Sequence, residues 1–204
     1  MLAGDGHAPT NVRDPRLAVD VHLADSLAAL ELDVMAKAGR VADLGAGAGF
    51  PGLPLAVALP AAEFALVESQ ARRCSFMAGL CTVAGIANAR AIGTRAEEWR
   101  EGIGTNDVVL ARALAPPPVV VEYAAPLLRV GGALVEWRGR RDASAERSGQ
   151  AAARRLGMEL AEVRRVSPYG EALDHHLHVY VKSRQTPPGF PRRPGIARKR
   201  PLSR

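Results

Sequence analysis

The stretch Asp43-Leu44-Gly45-Ala46-Gly47-Ala48-Gly49-Phe50-Pro51-Gly52 decides the fold. It follows the short apolar run Arg40-Val41-Ala42 and leads through Pro51 into a helical pattern ending at Leu59, so it reads as strand, tight loop, helix. Two parses are open. Beginning at Gly45 the loop is G-x-G-x-G directly off the strand; beginning at Gly47 it is G-x-G-x-x-G, the dinucleotide fingerprint. Both bring bare backbone up to a ligand, and both call for an acid about 20 residues later to meet a ribose. Glu68, closing the next apolar run, supplies it.

Charge separates the parses. A pyrophosphate would sit over the loop and the helix N-terminus, where Asp43 is a poor neighbour. S-adenosylmethionine carries a sulfonium and an ammonium, which tolerate an acid beside the loop. The strand also runs straight into Gly45, whereas Gly47 is displaced from its end. The methyl-donor parse is therefore favoured, with a nicotinamide or flavin site and a purely structural glycine turn left as alternatives. The P-loop lysine signature is absent from the chain.

Working outward, residues 16–37 place Leu17, Val21, Leu23, Leu27, Leu30 and Val34 at mostly helical spacing, entered through Asp14-Pro15 and ended by Gly39. Residues 63–68 read as a second strand, 70–84 as a helix, 89–92 as a third strand, 94–99 as a short helix and 107–112 as a fourth strand. A helix over 117–128, a turn at Gly131-Gly132, a strand over 133–137 and an amphipathic helix over 142–156 follow. Strands over 158–166 and 175–182 have no helix between them and should pair antiparallel. The order predicts an α/β fold: a mostly parallel seven-stranded sheet with one antiparallel strand near its edge and helices on both faces.

At these residues the chain resembles the bacterial small-subunit (16S) rRNA methyltransferases that methylate N7 of a guanine, the family once called glucose-inhibited division protein B. The glycine loop through Leu53-Pro54-Leu55 carries the likeness. Arg13-Asp14-Pro15 with His22-Leu23-Ala24-Asp25-Ser26-Leu27, Arg95-Ala96-Glu97-Glu98, and Ala111-Arg112-Ala113-Leu114-Ala115-Pro116 agree in order. The segment 186–202 is similar to the family's basic tail, and the likeness spans about residue 10 to the end. The resemblance implies a Rossmann-like class I S-adenosylmethionine-dependent methyltransferase. It divides the chain into an N-terminal helical segment (1–39), shorter than the family's, a methyltransferase domain (40–182) and a basic, Pro-rich C-terminal tail (183–204). It implies that Gly45, Gly47, Gly49 and Phe50 line the methionine and adenosine side of the cofactor. Glu68 would hold the ribose hydroxyls, and Ala96 and Glu97 would flank the adenine. Arg112 is the catalytic candidate, facing the cofactor carboxylate, an RNA phosphate or the guanine O6 edge. Where members commonly carry Lys-Gly after the fifth strand, this chain has Trp137-Arg138-Gly139.

The chain has 204 residues, 48% of them hydrophobic, and carries 27 Lys and Arg against 21 Asp and Glu. That suffices for one domain with a core and excludes intrinsic disorder of the whole. Residues 182–204 hold eight basic side chains and no acid, leaving 19 bases against all 21 acids, a net of −2, for the remainder. The basicity therefore belongs to a tail. Its prolines and glycines leave too little apolar content for a core element, so it reads as a flexible arm that supplies phosphate contacts. No apolar run approaches the ~20 residues of a membrane span, and the start lacks a signal pattern, so the expected setting is cytoplasmic, as a monomer acting on small-subunit ribosomal RNA or the 30S particle. Cys74 and Cys81, seven apart in one helix, read as two buried thiols.

Methyl transfer to a ring nitrogen uses a lone pair that is unprotonated at neutral pH. It needs alignment and exclusion of water rather than a general base, which suits a chain with no evident acid/base dyad. Exocyclic amine methylation commonly uses a polar-Pro-Pro-aromatic motif that Ala115-Pro116-Pro117-Pro118-Val119 lacks, and C5 methylation needs a cysteine near that loop. His22 and Asp25 read as a pair on one helix face. Alternation splits His175 from His176 and His178, so no metal site is expected. Trp137 reads as packing. Nine aromatic residues in the chain disfavour a stacking-platform RNA binder. Two other functions remain open: an NAD(P)-dependent oxidoreductase on the Gly47 parse, and a non-catalytic RNA or ribosome-assembly factor that keeps a methyltransferase fold.

Overall fold

The computed structural model describes Val12 and residues 14–202. Seven strands, β1 (Arg40–Leu44), β2 (Glu63–Val67), β3 (Ala89–Ile92), β4 (Asn106–Arg112), β5 (Leu128–Arg138), β6 (Met158–Val166) and β7 (His175–Lys182), form one sheet in the order β3-β2-β1-β4-β5-β7-β6. All pairs are parallel except those of β7, which runs antiparallel to both β5 and β6. The one reversed strand near the edge is thus as the sequence predicts. The order of strands reverses between β1 and β4, which opens a crevice beyond their carboxyl ends.

Alternation along the strands feeds two apolar layers. Ala42, Leu44, Val67, Val109, Ala111 and Leu134 pack on one face; Val41, Phe64, Val108, Leu110, Val135 and Trp137 pack on the other. The helices are α1 (Pro15–Ala18), α2 (Asp25–Leu27), α3 (Asp33–Ala36), α4 (Gly52–Ala58), α5 (Ala71–Ala84), α6 (Pro117–Ala124), α7 (Ala143–Leu156) and α8 (Ile196–Lys199). Their limits have local causes. Asp142 caps α7 by accepting from the Ser144 and Ala145 amides, and Gly157 ends it in a left-handed conformation. Cys74 and Cys81 lie half-buried and unpaired on α5, where burial pushes both thiols up. Among the described residues no helix is long and apolar enough to cross a membrane.

The helix expected over 117–128 ends at Ala124, and β5 starts at Leu128 and runs through Gly131-Gly132, where a turn was expected. Two further segments differ from the sequence reading. The single helix expected over 16–37 is broken: a π-helical turn (Val19–Ala24) separates α1 from α2, a 3-10 turn (Ala28–Glu31) follows, and Leu32 is extended before α3. Leu32 is buried in the apolar layer beneath β1, and the chain straightens there to place it. The tail is packed where a flexible arm was expected. Every residue of α6 is buried, because Val119, Val120, Val121, Tyr123 and Ala124 make the helix apolar all round. Such a helix needs a cover on its outer side, and the tail provides it with Phe190, Ala197 and Leu202. Glu122, 2% exposed in that layer, is paired with Arg192.

Lys182, at the end of β7, is likewise buried, and its ammonium donates to the carbonyls of Ala125 and Leu128 at 2.7 and 2.6 Å. It closes the last turn of α6 with a positive charge, the favourable sign for a helix C-terminus, although burial pushes its pKa down. Lys182→Met keeps the aliphatic stem, removes the ammonium from the Leu128 carbonyl and leaves the Ala125 carbonyl to the Thr186 hydroxyl alone. The expected loss is about 2 kcal/mol of unfolding free energy, read as a lower urea midpoint with an unchanged slope.

Candidate active site

β1 delivers its glycine loop to the crevice. Gly45 leaves the strand at φ +67°, with its amide bound to the Val67 carbonyl at 2.8 Å, and a methyl group there would meet the Leu114 side chain at 2.6 Å. Only glycine satisfies both the backbone angle and the approach. Gly47 donates its amide to Glu68 Oε2 at 3.2 Å, while Gly49 bonds back to the Ala46 carbonyl at 2.7 Å. Glu68 Oε1 accepts from the Gln70 amide at 2.8 Å. Glu68 therefore joins the loop to the start of α5, serving as a helix N-terminal acid and as a loop contact at once.

Asp43 lies beneath the loop, 1% exposed. Its Oδ2 accepts from the Gly52 amide at 2.8 Å, and its Oδ1 is buried without a hydrogen-bond partner. Burial pushes this carboxyl up to about 7, opposed by the Gly52 bond and by Arg112, and aided by Glu68. A cationic ligand above the loop would favour the ionised form of this buried acid, and a pyrophosphate there would oppose it. The residues present fit a sulfonium-bearing cofactor.

Two lobes flank the loop. In the first, Gly45, Ser69, Ala96, Glu97 and Leu114 line a cleft that is completed by Tyr123 of α6 and Arg198 of α8. Ala96 and Glu97 share this cleft with Gly45. Glu97 also accepts from the Gly195 amide at 3.0 Å. The second lobe is lined by His22, Asp25, Arg112, Trp137, Arg138 and His175. Ala113, at φ +53°, turns the chain between Arg112 in one lobe and Leu114 in the other, a conformation that costs a non-glycine residue about 1 kcal/mol.

In the second lobe Asp25 is the hub. Its Oδ2 accepts from Arg112 Nη1 at 2.9 Å, its Oδ1 meets His175 Nδ1 at 2.9 Å, and its carbonyl accepts from Trp137 Nε1 at 3.0 Å. Arg112 also reaches the Val21 carbonyl at 3.3 Å. Asp25 thus pairs across the fold with Arg112 and His175, partners that its position beside His22 on one helix face does not reveal. His22 instead stacks on Phe50, centroids 4.5 Å apart and planes 12° off parallel, and Arg112 lies 5.7 Å over the same ring. Phe50 accordingly packs against two residues that line the second lobe. Burial first, and then Arg112, push the His22 imidazole below 6.5.

Sequence reasoning missed Asp25, His175 and Trp137 as site residues because their partners lie in distant segments. It missed Arg198 because the tail read as free. His176 and His178 face α7, away from His175. A separate hollow bounded by Arg40, Glu63, Asn88, Arg90 and Trp99 lies at the amino ends of the strands and contains none of the candidate residues.

Comparison with known proteins assigns the chain. A family model described as rRNA small subunit methyltransferase G, of the GidB family, matches residues 3–173. The chain belongs to this family. A curated relative from Rubrobacter xylanophilus, ribosomal RNA small subunit methyltransferase G, is 37% identical over 209 residues, covering 99% of this chain and 80% of the relative. One of the same name from a Synechococcus strain is 36% identical, covering 95% and 77%. Among solved structures, an S-adenosylmethionine-dependent methyltransferase from Aquifex aeolicus superposes with a TM-score of 0.63 at 16% identity, over 82% of this chain and 94% of that one. The [4+2]-cyclase SpnF superposes almost as well, with a TM-score of 0.61 at 15% identity, over 78% and 80%. These likenesses establish the architecture, and the cyclase illustrates that it hosts more than one chemistry. Membership of the family agrees with the parse that starts at Gly45.

The Asp43 carboxyl is raised from its usual 3.8 to about 7. A raised acid holds its proton in the folded chain, so its contribution to stability is complete below pH 3.8 and is lost as the pH rises through 7. Asp43→Asn abolishes that titration. Between pH 5 and pH 8 the unmodified chain is expected to lose about 2 kcal/mol more unfolding free energy than the variant, measured by urea denaturation at the two pH values.

Proposed function

We propose that this protein transfers the methyl group of S-adenosylmethionine to N7 of a guanine in small-subunit ribosomal RNA. The observation that carries the reading is the pair of lobes beside the Gly45 loop, one lined by Gly45, Ala96 and Glu97, the other by Arg112. S-adenosylmethionine, when bound, supplies a methyl carbon made electrophilic by its sulfonium. The chain's task is to hold the adenosine beside Ala96 and Glu97, present Glu68 to the ribose hydroxyls, and leave the bare backbone of Gly45, Gly47 and Gly49 for the methionine portion. Arg112 faces the acceptor, where its fork matches a guanine O6 edge or a phosphate.

The electrostatics of the second lobe support this reading. Methylation of N7 removes positive charge from sulfur and places it on the guanine ring, so a bare guanidinium beside the acceptor would oppose the reaction. Asp25 neutralises Arg112 while leaving the remaining N–H groups of the fork to donate. His22, with its pKa lowered, adds no charge at neutral pH. Trp137 and Phe50 form apolar walls that exclude water. No proton has to leave N7, so the lobe needs no general base.

Two measurements test this. Incubation with methyl-labelled S-adenosylmethionine and small-subunit RNA or 30S particles from cells lacking the gene is expected to yield one 7-methylguanosine by nucleoside mass spectrometry; incorporation at any other base or position sinks the assignment. Arg112→Lys keeps the charge and loses the fork. Turnover is expected to fall roughly 10- to 100-fold with the cofactor dissociation constant unchanged. A matching rise in that constant would move Arg112 to the cofactor carboxylate.

A further inference from the structure

The basic tail contributes to the first lobe as well as covering α6. Arg192 forms a forked pair with buried Glu122, Nε to Oε1 at 2.6 Å and Nη2 to Oε2, and the same Nη2 donates to the Arg200 carbonyl at 2.9 Å. One side chain therefore anchors both ends of the segment 192–200, drawing it into a closed strap. Ala197 of α8 is buried at the middle of the strap, against the core. From this base the strap reaches the cleft in two places. The Gly195 amide donates to Glu97, and Arg198 Nη2 donates to the Leu114 carbonyl at 2.9 Å. Arg198 and Tyr123 line the same cleft. Glu97 and Leu114 are themselves walls of the lobe that contains Gly45 and Ala96.

We propose that the strap 192–200 is the outer wall of the adenosine site and that Arg198 is a cofactor-binding residue. The inference rests on the functional reading above, since it takes the Gly45 lobe as the cofactor's. The chemistry is specific. A guanidinium held at its edge by a carbonyl presents its remaining N–H donors and its flat face to an adenine ring, whose nitrogens accept and whose π-face attracts a cation. Glu97, tied to the strap by one carboxylate oxygen, keeps the other for the adenine amino group. Cofactor occupancy and seating of the strap are thereby coupled, because each completes a surface for the other.

Calorimetric titration of the full-length chain with S-adenosylhomocysteine, beside limited trypsin digestion at the Arg198-Lys199 and Lys199-Arg200 bonds, tests the proposal. Arg198 is exposed, so Arg198→Ala leaves the core intact, which thermal unfolding verifies. The expected result is about a tenfold weaker dissociation constant in the variant, equivalent to 1.4 kcal/mol, with partial recovery in Arg198→Lys. Saturating S-adenosylhomocysteine should slow cleavage after Lys199 in the unmodified chain and have less effect in Arg198→Ala. An unchanged dissociation constant in Arg198→Ala, with no ligand protection, overturns the strap proposal. So does a variant that binds the ligand normally but has lost affinity for small-subunit RNA, since Arg198 would then serve RNA alone. If the unmodified chain itself binds no S-adenosylhomocysteine, the underlying functional reading fails, and the strap proposal falls with it.

Discussion

Carboxylates buried at the carboxyl edge of the sheet must be neutralised or hydrogen-bonded, and the rest of this structure follows from how each one is met. Asp25 is met by Arg112 and His175, which fastens the N-terminal helices over β4 and β7. Glu68 is met by the Gly47 and Gln70 amides, which fixes the loop against β2 and α5. Glu122 is met by Arg192, which brings the tail back from the end of β7 onto α6. In each case a segment distant in sequence supplies the partner, so the charges set the tertiary arrangement as much as the apolar layers do. Asp43 and Glu136 are each met on one oxygen only, by the Gly52 amide and by Arg138, and burial pushes both carboxyls up to about 7.

The same pairing suits methyl transfer. In the proposed reaction one positive charge would pass from the first lobe to the second without any proton having to move with it. A site for it has to recognise the acceptor with donors yet add little net charge where the cation forms. Arg112 held by Asp25 meets both demands, and the left-handed turn at Ala113 sets Arg112 and Leu114 into different lobes two residues apart. The strain at Ala113 is the local cost of that separation.

The strands, their order of appearance and the reversed strand near the edge were legible because period-two apolar runs punctuated by glycine and proline encode them locally. The glycine loop and Glu68 were legible for the same reason, as spacing along the chain. The pre-sheet helix read as continuous because its leucines keep helical spacing on both sides of Leu32, and only the demand of the core for that side chain breaks it. The tail read as free because its own composition cannot form a core. The cue that it would be captured lay elsewhere, in α6, where Glu122 sits in an otherwise apolar helix that no other element covers on that side. Phe50 was assigned to the cofactor loop by position, while its ring stacks on His22, which lines the second lobe.

By itself the sequence determined the α/β architecture, the glycine turn off β1, the acid at the end of β2 and the concentration of positive charge in the last 23 residues, because these are properties of spacing and composition. Tertiary structure alone decided that Asp25 bonds Arg112 and His175, that Trp137 and His175 share one pocket, and that the tail lies against α6 and Glu97. Those outcomes depend on which buried charge each segment can reach once the sheet has closed. A buried carboxylate selects its partner by distance in space, and spacing along the chain does not contain that distance.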